Sequence, residues 1–167
     1  MNLRAQSSTA VVEVTEDSVA REFSEAYALS MRYDHDAGYW FEFRGDHWEK
    51  DRTQRAYSYC RELARQASDG KGPRERASAG KASFAGGVER LARADPLHAV
   101  TADIWDSDPW LLGCPCVTVD LRDGKEREPD SDDGITRLTA VAPMQADCPL
   151  WRQFLSDATG GLSAVSV

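Results

Sequence analysis

The stretch Trp105–Leu121, reading WDSDPWLLGCPCVTVDL, constrains the fold more than any other part of the chain. It crowds Trp105, Trp110, a Leu111-Leu112 pair and the run Val117-Thr118-Val119 around breaks at Asp108-Pro109 and Pro115. Large apolar and β-branched residues separated by such breaks favour short strands over one continuous helix. The stretch therefore predicts a packed hairpin that belongs to the core, not a catalytic loop. Asp123-Gly124 is a hairpin turn signal, which makes Lys125–Arg127 the return strand.

The rest of the chain reads as a mixture of helices and further hairpins. Residues 1–14 are expected to be poorly ordered. Thr15 caps a first helix with Glu16 and Asp17 in its opening turn, where carboxylates suit the positive end of the dipole. Val19, Phe23, Tyr27 and Met31 recur every fourth residue, so this helix is expected to run to about Tyr33. Aromatic strands around Arg44-Gly45-Asp46 predict a hairpin across which Trp40 and Trp48 can meet. A second helix is expected over about Arg52–Ala67 and a third over about Ser83–Ala94, with Val88 and Leu91 inward. Between them Ser68–Lys81 is rich in Gly, Ser and bases and reads as a mobile loop. Ile135–Thr139 alternates like one more strand. Pro149 opens a last helix carrying Leu150, Trp151, Phe154 and Leu155, which Gly160-Gly161 ends. The expectation is one α+β domain over 15–161, about four main helices on short antiparallel hairpins, followed by a tail at 162–167.

Charge is distributed unevenly, and this bears on partners. The formal charge of −8 argues against a dedicated nucleic-acid binder, since phosphate contacts need clustered Lys and Arg. Yet Arg61–Arg93 holds eight bases against four acids, a net of +4, while Asp95–Asp133 holds three bases against eleven acids, a net of −8. The basic middle, with Arg65, Lys71, Arg74, Arg76 and Lys81, is the candidate surface for weak contact with a DNA backbone. The acidic half could dock a protein partner. The four cysteines lack framework spacing, no apolar run is long enough to span a membrane, and no secretory leader is legible, so a reducing cytoplasm is expected.

Four other chemistries make specific demands on the residues. Gly80-Lys81 lacks the rest of a phosphate loop: Glu75 stands where the first glycine is required and Ala82 where a hydroxyl should bind magnesium. Cys114, Cys116, Cys148 and His98 lack zinc-ligand spacing and read as core or turn residues. No nucleophile elbow is present. Asp103, Asp106 and Asp108 lie close in sequence, as do Asp34-His35-Asp36, and both groups read as turn caps. The alternative reading of the first group is a metal-dependent nuclease or phosphotransfer enzyme, which needs those carboxylates to converge around two ions.

Several short blocks occur in a specific order: His35-Asp36-x-Gly38-x-Trp40, Trp48-x-x-Asp51, Arg90-Leu91-Ala92, Trp105-Asp106-x-Asp108-Pro109-Trp110-Leu111-Leu112, Thr118-Val119-Asp120-Leu121-x-x-Gly124, Ile135-Thr136, and Cys148-Pro149-x-Trp151-x-x-Phe154-Leu155. Together, over about Thr15–Gly161, the chain resembles the domain that precedes the superfamily 3 helicase in phage and plasmid DNA primases, to which a segment of the poxvirus primase-helicase is related. The resemblance implies a non-catalytic replication module that couples priming to unwinding and positions the helicase on DNA. It implies helicase and primase modules as partners, with ATP and magnesium belonging to a helicase that this chain lacks and no cofactor here. It makes His35, Asp36, Trp40, Trp105, Asp106, Pro109, Trp110, Asp120, Gly124 and Trp151 structural signatures without catalytic roles. The chain departs from the pattern at Gly113, where relatives carry Asn, and at Cys116-Val117, where relatives carry Gly-Gly or Asn-Gly. A tight turn there wants positive φ, which a β-branched valine resists.

Overall fold

A computed structural model describes residues 13–144 and 146–160. The expected N-terminal segment up to residue 12, the tail at 162–167 and Gly161 lie outside the described residues. The architecture is α+β, with helices on one face of a four-stranded sheet and a small three-stranded sheet beyond it.

The first helix, α1 (Glu16–Tyr27), starts as expected. The Thr15 side chain accepts from the Ser18 amide at 3.0 Å, and the Ser18 hydroxyl returns the contact to the Thr15 backbone. It ends six residues before Tyr33. Met31, although in step with the apolar stripe, begins strand β1 (Met31–Asp34), which pairs antiparallel with β2 (Tyr39–Phe43), Tyr33 facing Trp40. The aromatic strand needs a ladder partner, and that pairing overrides the helical period. The turn between them is built by Asp34, whose Oδ1 accepts the amides of Asp36 and Ala37, and by Gly38 at φ 77.

Strand β3 (Trp48–Lys50) completes the second hairpin, and β4 (Ala99–Val100) adds parallel to β1, giving the order β3-β2-β1-β4. Trp48 pairs with Phe43, not with Trp40, so the two tryptophans lie on opposite faces of the sheet. Trp40 joins Phe23, Met31 and Tyr33 beneath α1, α2 (Arg55–Ala67) and α4 (Ala82–Arg93), in a core completed by Cys60, Ala64, Phe84 and Val88. Burial there pushes the Cys60 thiol up to about 12. Leu91, expected inward, is 45% exposed; Phe84, Ala85, Val88 and Ala92 form the buried face of α4. His98 is wholly buried against the Phe23 and Trp40 rings, with its Nδ1 on the Met31 carbonyl at 2.9 Å.

The supposed mobile loop contains a helix, α3 (Pro73–Ala79). Pro73 suits the first helical position, and the Glu75 carboxylate reaches back to the Gly72 amide at 3.0 Å, satisfying an otherwise orphaned donor.

The opposite sheet face carries Phe41, Phe43 and Trp48. Trp105 lies against Phe41 at 4.4 Å and Trp48 at 5.7 Å between ring centroids. The second sheet, β5 (Leu111–Cys114), β6 (Val117–Asp120) and β7 (Lys125–Arg127), has the registers that the Asp123-Gly124 turn implies. At the β5–β6 turn Pro115 is followed by Cys116 at φ 64, so the left-handed residue is the cysteine and Val117 stays in the strand. Gly113 is also constrained: a Cβ there would lie 2.6 Å from the Arg137 carbonyl and from Ile135 Cγ2.

Residues 135–139 do not form the expected strand. Their hydrogen bonds are shared among three partners: the Ile135 carbonyl accepts from Trp48, the Thr136 amide donates to Asp106, and the Thr139 amide donates to Gly113. The segment ties the two sheets together instead of extending either. The last helix, α5 (Pro149–Ala158), forms as expected, and Gly160 follows it at φ 66. Its Leu150, Trp151, Phe154 and Leu155 are all exposed.

Candidate nucleic-acid interface

The basic segment folds into the outer side of the helix layer. Arg61 and Arg65 follow one another by a helical turn on α2, Arg74 and Arg76 lie on α3, Lys81 caps α4 and Arg90 lies near its end. Arg61, Arg65, Arg74, Arg76, Lys81 and Arg90 are exposed, and none makes an ion pair with another described residue. Lys71 is half-buried and is engaged within the fold. Several arginines elsewhere are held by carboxylates: Arg44 and Arg55 by Glu42, Arg93 by Glu89, Arg122 by Asp108 and Asp120, Arg127 by Asp133. The sequence thus separates cations that are spent on the fold from cations left facing solvent.

Beside this face is a cleft of about 260 Å³ lined by Tyr33, Trp40, Asp51, Gln54, Tyr57, Glu89 and Arg93, with Gly38 and Tyr39 at the hairpin end. The floor comes from β1 and β2, where Tyr33 and Trp40 are paired neighbours. Glu89, only 9% exposed, accepts the Trp40 indole N–H at 2.8 Å and grips Arg93 through both oxygens at 2.5–2.9 Å. The Arg93 guanidinium lies 4.7 Å over the Tyr33 ring, and Nη1 reaches the Tyr33 hydroxyl at 3.3 Å. His35 closes this corner by donating from Nε2 to the Arg93 carbonyl at 2.9 Å. The wall is Tyr57 of α2, whose hydroxyl donates to the Ala82 carbonyl at 3.2 Å. Sequence reasoning found the cations but not these aromatics, because they come from β1, β2 and α2 rather than from the basic segment. The chain order of Tyr33, Trp40 and Tyr57 carries no signal of their meeting.

The aspartates read as turn caps have separate partners. Asp103 accepts from the Thr101 hydroxyl; Asp106 accepts from the Thr136 amide at 2.8 Å and its hydroxyl at 2.5 Å; Asp108 takes the Trp110 amide and Arg122. The Trp110 amide first, and Arg122 second, hold the Asp108 carboxyl below its ordinary range. Asp34, 1% exposed, accepts the Trp105 indole at 2.8 Å, and Asp36 accepts the Ala102 amide. Asp120 holds Arg122, and Gly124 takes φ 71 in the turn that follows. Trp110 is half exposed beneath Arg122, beside Pro109, and Trp151 stacks on Phe154. No group of three His, Cys, Asp or Glu side chains among the described residues could hold a metal ion, so neither the Asp103-Asp106-Asp108 cluster nor the Cys114, Cys116, Cys148 and His98 set is assembled into a metal site.

The family model described as D5 N terminal like matches residues 20–160. The chain belongs to that family. The match covers both sheets, α2 to α5 and α1 from Ala20 onward, and its bounds take in every block from His35 to Trp151. The family's domain is the one that precedes the superfamily 3 helicase in primase-helicase proteins, which makes this a replication-associated domain. Three of the residues in these blocks join separate elements: His35 fastens the hairpin to α4, Asp36 the hairpin to residue 102, and Asp106 residue 136 to the stretch before β5. No match was found among curated proteins. No helix among the described residues is long and apolar enough to cross a membrane.

Proposed function

We propose that this domain is a non-catalytic module of the phage and plasmid primase-helicase type that holds single-stranded DNA by its backbone and so positions a helicase on it. The observation that carries this reading is the set of exposed cations without acidic partners on α2, α3 and α4. Phosphates are met by mobile, unpaired Lys and Arg, whereas an arginine already forked onto a carboxylate has little to offer them. The reading uses neither ATP nor magnesium. Binding to a labelled single-stranded oligonucleotide should be weak and salt-sensitive. Each phosphate neutralised contributes a slope of about −0.7 to the log-log salt dependence for single strands. Replacing Arg74, Arg76 and Lys81 together by Ala should lower affinity roughly tenfold or more at low salt and flatten that slope by about 2. Unchanged affinity and slope would remove the reading.

The coupling role also needs a surface for the helicase module, and α5 supplies the specific observation. Leu150, Trp151, Phe154 and Leu155 lie at helical spacing with their apolar sides uncovered, and exposed apolar patches mark interaction sites. Aromatic anchors of this kind commonly cost about 2 kcal/mol or more when truncated. Trp151→Ala with Phe154→Ala should therefore weaken association with a superfamily 3 helicase module at least about thirtyfold by calorimetry. Association that tolerates both changes would dismiss α5 as the docking surface.

A further inference from the structure

We infer that the cleft between β2, α2 and α4 takes one unstacked nucleobase of a single-stranded nucleic acid, with the phosphates on the cations alongside. This rests on the proposed backbone contact and adds to it the part of the ligand that enters the protein.

The lining has the chemistry of a base site. Tyr57 and the plane of Arg93 line the accessible part of a space of about 260 Å³, with Tyr33 and Trp40, 8% and 5% exposed, as its floor. That is just below the roughly 300–1,000 Å³ of ordinary ligand pockets and leaves room for no more than a single ring system. Bases are held by stacking on aromatic faces and on guanidinium planes. Arg93 is pre-set for the second role. Its fork is immobilised by Glu89 and one side lies over Tyr33, while the side chain remains 38% exposed.

The charge arrangement excludes a phosphate from the interior. Glu89 is ionically matched by Arg93, and both Asp51 oxygens take backbone amides, those of Thr53 and Ala56, at 3.0 and 3.1 Å. An anion placed inside would face Glu89 with no spare cation. A neutral ring would lie between Tyr57 and the Arg93 plane, with Asp51, Gln54 and Glu89 near its edges. The free cations lie outside. The Tyr57 hydroxyl rests on the Ala82 carbonyl, so Lys81 adjoins the rim at α4, and Arg52, exposed, follows Asp51 on the other side. Gln54 between them has φ 58, a left-handed conformation that costs a non-glycine residue free energy and is concentrated at ligand sites.

Two measurements on the full chain test this. Thymidine and deoxyadenosine, which carry no phosphate, should shift the NMR signal of the Trp40 indole N–H. Tyr57→Ala should abolish that shift and Tyr57→Phe should keep it. In the second measurement a labelled oligothymidylate should bind roughly 5- to 150-fold tighter than an abasic strand with the same phosphates, the factor supplied by one stacked base. Tyr57→Ala should erase the difference and leave abasic binding intact. Equal strand affinities with no nucleoside shift overturn the base site, while a salt slope shared by both strands leaves the backbone contact standing. A nucleoside shift with equal strand affinities overturns the strand as the source of the base. A shift at Trp40 without salt-sensitive binding of either strand keeps the base site and removes the backbone reading instead.

Discussion

Trp48→Ala should lower the stability of the domain by about 3–5 kcal/mol, the usual cost of truncating a buried tryptophan. For a chain of this size that corresponds to a fall in Tm of roughly 6–20 °C. The side chain is 1% exposed and joins three parts of the molecule. Its ring meets Phe43 across the hairpin and Trp105 from beyond the sheet, and Arg32 lies 5.3 Å over it. Its indole N–H donates to the Ser131 carbonyl at 2.8 Å, and its backbone amide donates to Ile135 at 2.7 Å. Truncation opens a void on the face of the sheet that carries no helices and frees the 131–135 segment. Trp48→Phe separates the two contributions. It keeps most of the ring contact and leaves the Ser131 carbonyl to water, so it should cost only about 1–2 kcal/mol. Urea unfolding followed by far-UV circular dichroism measures both. A Trp48→Ala midpoint within error of the parent would show that this face is not a second core. Hydrogen exchange adds a local reading, in which the Trp48 and Thr136 amides should lose protection before those of α1 and α4.

That second face shows where sequence reasoning succeeds and where it stops. Capping and turn chemistry is local, so Thr15, Asp123-Gly124 and Pro149 placed three boundaries correctly. The α3 helix was also locally encoded, in Gly72-Pro73 followed by Glu75, but the surrounding glycines and serines masked the signal. The opposition of Trp40 and Trp48 was available from parity alone. Pairing Phe43 with Trp48 leaves Trp40 three residues back along its strand, and an odd offset reverses the face. Other features needed partners remote in sequence. Met31 fits a helix stripe until β2 is present to pair with it, and Ile135–Thr139 alternates like a strand until three separate acceptors and donors divide its backbone. The cleft belongs to the same class. Tyr33, Trp40 and Tyr57 converge beside Lys81 only because α2 and α4 pack over the first hairpin. The basic segment was visible as charge; what stands next to it was decided by topology.

Asp34→Ala should cost about 2–4 kcal/mol, because three donors lose a charged acceptor and one of them is a half-buried indole. The carboxylate is 1% exposed and divides its work. One oxygen forms the β1–β2 turn through the Asp36 and Ala37 amides, and the other anchors Trp105 against Phe41 and Trp48. Asp34→Asn should retain the turn, since its amide oxygen can still accept, but it presents N–H groups to the Trp105 N–H and loses that anchor. It should fall between the parent and the alanine variant. Trp105→Phe removes the donor from the other side. If the bond between them is what seats Trp105, the single changes will not add. The double variant should be less destabilised than their sum by about 1–2 kcal/mol, the coupling expected for residues in direct contact. Strict additivity would mean that Trp105 is seated by its ring contacts alone and that Asp34 serves only the turn. The distinction reaches function through His35 and Gly38, which lie within this turn: the first holds the end of α4 by the Arg93 carbonyl, and the second lines the cleft. A variant that loosens the turn should therefore weaken nucleoside binding at the cleft as well as stability, whereas Trp105→Phe, which leaves the turn amides on Asp34, should lower stability and leave nucleoside binding near that of the parent.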